Sequence, residues 1–291
     1  MAVHIHQLAS PKTTEVYITA TPSDIHADAA SQAAEIFAGI ADALKQTDAR
    51  IVQERILFAP GGKDIVVAAR AAAYGALDDG VVPALLHTLS EGQAVSGVQV
   101  YAVTGEATIE PIEVDGVKRG RIVRAGGQTV VLGSGLTAPE CESRADQTRA
   151  IFLKAEQMVG VAGGDLFDVA RTWMWLTDLL EWYDEFNLVR NELFTERGLL
   201  GSAEDPILPA STGISLDDAD GAHISMDLLA VLGAEGVVAR HQAGGEQGSA
   251  YDYGSAFSRA VTARTLAGKT LLVSGTAAID AVGNTEHLDD I

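Results

Sequence analysis

Apolar and polar positions switch between two periods along this chain, and the switches mark its elements. In residues 16 to 58, "VYITATP" follows the two-residue period of a strand, whereas "DAASQAAEIFAGIADALKQTDAR" sets Ile36, Phe37, Ile40, Ala43 and Leu44 on one helical face. A second strand, "IVQERILFA", comes next. A glycine turn then leads into a shorter helix, "GGKDIVVAARAAAYGAL", and "GVQVYAVTG" at 97 to 105 closes the unit as another strand.

Residues 129 to 232 repeat that order. Strand "TVVLGSG" precedes a helix with Ile151, Phe152, Ala155, Met158 and Val159 inward. Strand "VARTWMWLTD", helix "LLEWYDEFNLVRNELFTERG" and strand "HISMDLLAVLG" follow. The spacing predicts an internal repeat of about 110 residues in β-α-β-α-β order, each unit a small sheet with helices on one face, an α+β fold. "KTLLVSGTAAID" matches "QTVVLGSGLTA" and starts a third unit that the sequence does not carry through to its helix. The turn-rich "VDGVKRG" and "GAEG" are expected to be linkers. The expected domains are therefore 1–112, 113–235 and 236–291, the last an apparently truncated third unit.

Composition changes this picture by exclusion. Forty acidic against twenty basic residues give a net charge of -20, which repels phosphate backbones and anionic lipid, so neither nucleic acid nor a membrane is an expected partner. No uncharged apolar stretch approaches the ~18 residues that span a bilayer. The N-terminus "MAVHIHQLAS" lacks the basic-then-apolar pattern of a signal peptide, and the single cysteine, Cys141, fits a reducing compartment, so the cytoplasm is the expected location.

Several residues are candidates for chemistry. Arg259, alone among apolar neighbours, offers a planar fork suited to a carboxylate. Tyr251 and Tyr253 could stack on an unsaturated ring or donate hydroxyls, or simply pack over a loop. Ser211 and Thr212 present hydroxyls at a strand start, where turn capping is the plain alternative. Arg171, Trp173 and Trp175 share one sheet face, with packing expected of the tryptophans and carboxylate binding of Arg171. Glu181, Asp184 and Glu185 are expected on a wet helix face. His4 and His6 are the one close histidine pair, too few ligands for a metal site, so no metal is expected. The glycines of "GSGL" and "AGG" read as turns.

The segments "SAFSRAVTARTLAGKTLLVSGTAAID", "VVLGSG", "DVARTWMWLTDLLEWYDEFN" and "PASTGI" resemble the RidA (YjgF/UK114) fold. Three such units in one chain, with "LPASTGI" and "AYDYGSAFSRA", resemble the chorismatases within that superfamily. The resemblance covers nearly the whole chain and is strongest from about 130 to 290. It implies tandem RidA-like units forming a pseudo-trimer, with one elaborated pocket between the second and third. It also implies cleavage of the enolpyruvyl ether of chorismate to pyruvate plus a dihydroxycyclohexadiene carboxylate or a hydroxybenzoate, without a cofactor.

The substrate-binding residues implied are Arg259, Tyr251, Tyr253, Phe257, Ser258, Ser211, Thr212 and Arg171. The family's catalytic glutamate has no counterpart at a matching position, Glu286 being the one glutamate after the "VSG" strand. Where RidA deaminases place a ligand-binding arginine before "ST", this chain has Ala210. A silent small-carboxylate-binding or assembly protein is the alternative reading, and a 2-iminoacid deaminase a weaker one. A complete pseudo-trimer is expected to be a monomer, and a truncated one to form a homo-oligomer.

Overall fold

The structure, a computed structural model, describes residues 2–88, 94–201, 206–233, 235–245, 247–277 and 280. The first unit runs β1 (Ala2–Ala9), β2 (Thr13–Thr21), α1 (Ala29–Thr47), β3 (Arg50–Phe58), α2 (Lys63–Tyr74), β4 (Ala84–His87) and β5 (Val95–Gly105). The α1 helix starts where Asp28 accepts a hydrogen bond from the Ser31 amide, and it stops at Asp48 in left-handed conformation. All five residues expected on its inner face are buried, and they pack on the sheet.

The second unit repeats the plan with β6 (Thr108–Val114), β7 (Val117–Ala125), β8 (Gln128–Leu136), α3 (Arg144–Val161), β9 (Val169–Leu176), α4 (Leu179–Glu196), β10 (Ala210–Ser215), β11 (Asp217–Asp218) and β12 (Ile224–Leu232). A third sheet holds β13 (Val237–His241), β14 (Ala260–Thr265) and β15 (Gly268–Val273). The strand orders are β1-β2-β5-β3-β4-β11, β10-β9-β12-β8-β7-β6 and β13-β14-β15. Hence β1-β2-β5-β3-β4 and β7-β8-β12-β9-β10 are one topology drawn twice. In each, β3–β4 or β9–β10 is a parallel pair, which requires the intervening helix as a crossover. The β14–β15 hairpin repeats β7–β8 in register: Ala260 faces Val273 as Gly120 faces Gly133. This is the tandem α+β arrangement expected from the periodicity.

Two readings are corrected. "VDGVKRG" is not a linker: Asp115 and Gly116 form the tip of the β6–β7 hairpin, both with positive φ, as a tight two-residue hairpin turn demands. Residue 113, the expected start of the second domain, falls inside β6, which pairs along its length with β7. The strand β1 was not anticipated. It is an edge strand with most of its side chains exposed, so neither face carries a buried apolar set that would set an alternating pattern.

Each helix pair covers the outer face of its own sheet, giving two separate cores around Phe37 and around Phe152 and Phe186. The inner faces of all three sheets meet in a third core. Val52, Tyr101 and Val103 from the first sheet pack there with Val130, Leu132, Ala170 and Leu229 from the second and Val261 and Ala263 from the third. Burying each large apolar side chain in these layers contributes roughly 1.5–3 kcal/mol before the entropy of ordering it. Among the described residues, no helix is long and apolar enough to cross a membrane, and no group of three His, Cys, Asp or Glu could hold a metal ion.

Candidate functional site

The second and third sheets are joined by backbone. Ser258 N–H donates to Pro209 O at 2.9 Å, and Gly275 N–H to Ser211 O at 3.2 Å. Ser274 Oγ accepts from Ser211 N–H at 2.8 Å and donates to the Ser258 carbonyl at 2.5 Å. Gly275 is required by close approach, since a Cβ there would lie 2.6 Å from Thr212 Cγ2. Beside this seam opens a cavity of about 670 Å³. One wall is α4, a second is the start of β10, and the third is the segment around Tyr253, Phe257 and Arg259 with Gly275 to Ala277.

The cavity wall is apolar over much of its area, through Met174, Leu179, Phe186 and Phe257, with Ser211, Thr212, Asn187, Tyr183 and Tyr253 as polar groups. Two arginines complete it. Arg259 is 8 % exposed; its Nε–H donates to the Gly248 carbonyl at 3.0 Å, and its buried Nη1 has no acceptor. Arg190, on α4, is 3 % exposed; its Nη2 donates to Asn187 Oδ1 at 2.6 Å, and its buried Nε has no acceptor. Among the described residues neither forms an ion pair with a carboxylate. Burial accordingly pulls the Arg190 pKa below its ordinary value, against the opposing pull of the Tyr183 and Tyr253 hydroxyls. Burial also raises the Tyr253 pKa, although Arg259 works the other way.

The expected site residues divide by place. Arg259, Tyr253, Phe257, Ser211 and Thr212 line the cavity together. Ser258 is fully buried behind it, its hydroxyl donating to the Leu208 carbonyl at 2.8 Å, so it serves the seam. Tyr251 packs against the core of the second unit and is not part of the lining. Arg171 also stands behind the wall: it donates to Thr212 Oγ1 and, at 2.9 Å, to the Thr172 carbonyl. Burial, with Arg55 nearby, pulls its pKa down to about 10. Trp173 and Trp175 face inward as expected and flank the Arg55 guanidinium, which lies 4.3 and 5.8 Å from their ring centres and is ion-paired to buried Asp227.

Among the described lining residues the one carboxylic acid is Asp184, exposed on α4. Glu286 lies outside the described residues. Ala210 is fully buried in the central core, so no guanidinium occupies that place. Arg190 was missed from sequence because charge on a helix was read as its wet face. Its spacing held the contrary signal: it falls four residues after Phe186 and three before Leu193, inside the buried stripe of α4.

No family model matches the chain, and no curated protein matches it. Among solved structures, it is similar to a member of the YjgF/YER057c/UK114 family from Mycobacterium tuberculosis, at 24% identity and TM-score 0.33, over 44% of this chain and 100% of the other. A YjgF family member from Neisseria meningitidis aligns at 20% identity and TM-score 0.33, over 43% and 94%. The E. coli protein TdcF with bound serine aligns at 20% identity and TM-score 0.33, over 43% and 98%.

Proposed function

We propose that the cavity between the second and third sheets binds chorismate and that the protein cleaves its enolpyruvyl ether, releasing pyruvate and a ring product. The observation that carries this reading is the pair of buried guanidinium groups, Arg190 and Arg259, on the walls of one cavity and without carboxylate partners among the described residues. In a chain of net charge -20, an internal unbalanced positive site selects anions that the outer surface repels. A buried charge is expensive unless paired, so a ligand carboxylate is the missing partner. The apolar wall formed by Phe186 and Phe257 suits an unsaturated ring, and the hydroxyls of Ser211, Thr212 and Tyr253 suit its oxygens.

Cleavage requires a proton delivered to the methylene carbon of the enol ether or to the ether oxygen. When water then adds to the side-chain carbon, the C–O bond breaks to give pyruvate and the dihydroxy acid. The arginines neutralise the carboxylates and orient the ring, and a carboxylic acid of raised pKa is the group suited to supply the proton. Asp184 is the one carboxylic acid among the described lining residues.

The test couples pyruvate release from chorismate to lactate dehydrogenase. Turnover that Arg259→Ala lowers by about 100-fold or more supports the enzyme, an effect on the scale of one lost charge-assisted contact in a transition state. Binding of chorismate with no pyruvate supports the second reading, a silent carboxylate receptor, which the exposure of Asp184 favours. Ammonia release from a 2-iminoacid would point to deaminase chemistry instead, which the buried methyl of Ala210 disfavours.

A further inference from the structure

We propose that the edge of β1 joins two copies of this chain around one divalent ion of the zinc class, held by His4 and His6 of each copy. The inference is independent of the cavity between the second and third sheets and starts from the repeat. Strand β7 lies between β8 and β6, and β14 lies between β15 and β13. Their counterpart in the first unit is β1, which pairs with β2; among the described residues no strand lies on its outer side. The scaffold thus takes an antiparallel strand at this place in two units and offers the same place in the first.

The backbone along that margin is set to pair. Ser10 N–H donates to the Thr13 carbonyl at 2.8 Å, which marks the residue pairs that exchange hydrogen bonds between β1 and β2. Such pairs alternate in an antiparallel ladder, so His4, His6 and Leu8 bond toward β2, while Val3, Ile5 and Gln7 direct N–H and C=O outward. A second copy brought up antiparallel, with Ile5 on the two-fold axis, pairs Val3 with Gln7 of the partner subunit and forms about six backbone hydrogen bonds. It also brings together the two Ile5 side chains, each 40 % exposed.

In that register His4 stands opposite His6 of the partner subunit, in the close, non-hydrogen-bonded kind of pair with Cα atoms about 4.5 Å apart. His4 and His6 pair with Thr19 and Tyr17 across the ladder, so their imidazoles share one face, about 7 Å apart along the strand. Both are exposed, and among the described residues neither has a hydrogen bond or an ion pair. One chain supplies two ligands. The two-fold axis gathers four imidazoles on one sheet face, the number a closed tetrahedral zinc site takes. The ion also answers an electrostatic objection, since two chains of net charge -20 repel each other and a dication at the contact lowers that repulsion. A register slip of two residues in either direction leaves one opposed histidine pair, so the metal selects the pairing.

The experiment is sedimentation velocity on the full chain, free of any histidine tag, in EDTA and in zinc chloride, together with calorimetric titration of zinc. Zinc should tighten self-association by about tenfold or more, with one ion bound per two chains. His4→Ala and His6→Ala should each abolish the zinc-dependent dimer. Because both side chains are exposed, the melting temperatures of these variants in EDTA should stay within about 2 °C of wild type. Gln7→Pro removes an outward N–H and leaves the β1–β2 bonds and both histidines in place; it should weaken the zinc-dependent dimer by about tenfold or more. Calcium or magnesium should produce no dimer, since both take oxygen ligands. A chain that stays monomeric in zinc, one ion bound per chain, a dimer equally strong in EDTA, or a zinc dimer that survives the alanine variants or Gln7→Pro overturns the inference.

Discussion

At the seam of the first two sheets, Pro83 leads into Ala84, Leu85 and Leu86 of β4; at the next seam, Pro209 leads into Ala210, Ser211 and Thr212 of β10. The two quartets hold the same place, for Ala84 pairs with Arg55 as Ala210 pairs with Arg171. Across from them stand Arg119 and Gly135 in one case and Arg259 and Gly275 in the other, matched by the repeated hairpin register. The first seam is closed. Leu86 packs fully buried with Ala84 and Trp175, β11 adds to the β4 edge, and Arg119 turns back to the Gly135 carbonyl at 2.7 Å. The second seam keeps its hydroxyls, its guanidinium and an open cavity. One scaffold thus gives a filled joint with leucines and an open one with hydroxyls, so the candidate site follows from a few side chains on a shared backbone.

The comparison breaks hardest at Asp79. Its carboxylate takes two hydrogen bonds of 2.7 Å from Arg121, a nearly buried arginine that crosses the first seam to the Val52 carbonyl. Burial pushes the Asp79 pKa up, but the hydrogen bonds and charge of Arg121 outweigh it, and the net shift is downward. A lowered carboxyl pKa stabilises above the ordinary carboxylate range, and the contribution is lost as pH falls through the native value. Asp79→Ala should therefore cost about 3 kcal/mol at neutral pH. In urea unfolding as a function of pH, the gap from wild type should narrow below about pH 4.

Leu86→Thr, which carries the β10 residue into the closed seam, should cost about 2 kcal/mol in urea unfolding, through lost apolar contact and a hydroxyl without a partner. It should bind no chorismate at this seam, because Arg119 stays turned to the Gly135 carbonyl and Arg70 stays neutralised by Glu54 and Asp78. The smallest effect is expected from Thr212→Val. The variant keeps the volume but removes one acceptor of Arg171 and that of the Gly275 amide, for about 1 kcal/mol of stability. Calorimetric titration should show chorismate affinity falling a few-fold, since Thr212 lines the cavity and Arg171 only supports it.

What the sequence disclosed follows from burial. The stripes of α1 and α3 were legible because Ile36, Phe37, Ile151 and Phe152 face one core each. The repeat was legible because "TVVLGSG" at β8 and "TLLVSG" at β15 each run from a threonine through apolar residues to Ser-Gly. Strands β1 and β6 were not, since an edge strand with solvent on most of its surface has no reason to alternate. A cavity lies between the two units at which the resemblance implied a pocket, yet Arg190 on its wall was overlooked. Ser258, Tyr251 and Arg171 adjoin the site in sequence or sheet, but their side chains turn to the seam, to the core and to Thr212. That distinction is made by side-chain direction in three dimensions and leaves no trace in composition.

The two-residue strand β11 has a consequence for dividing the chain. It belongs to the second unit's sequence yet completes the first unit's sheet, with the Ala219 amide bonded back to the Leu85 carbonyl at 3.0 Å. An isolated N-terminal half would carry a bare β4 margin whose backbone groups seek another strand, so the first unit is built to be sheltered by its neighbour and would be sticky alone.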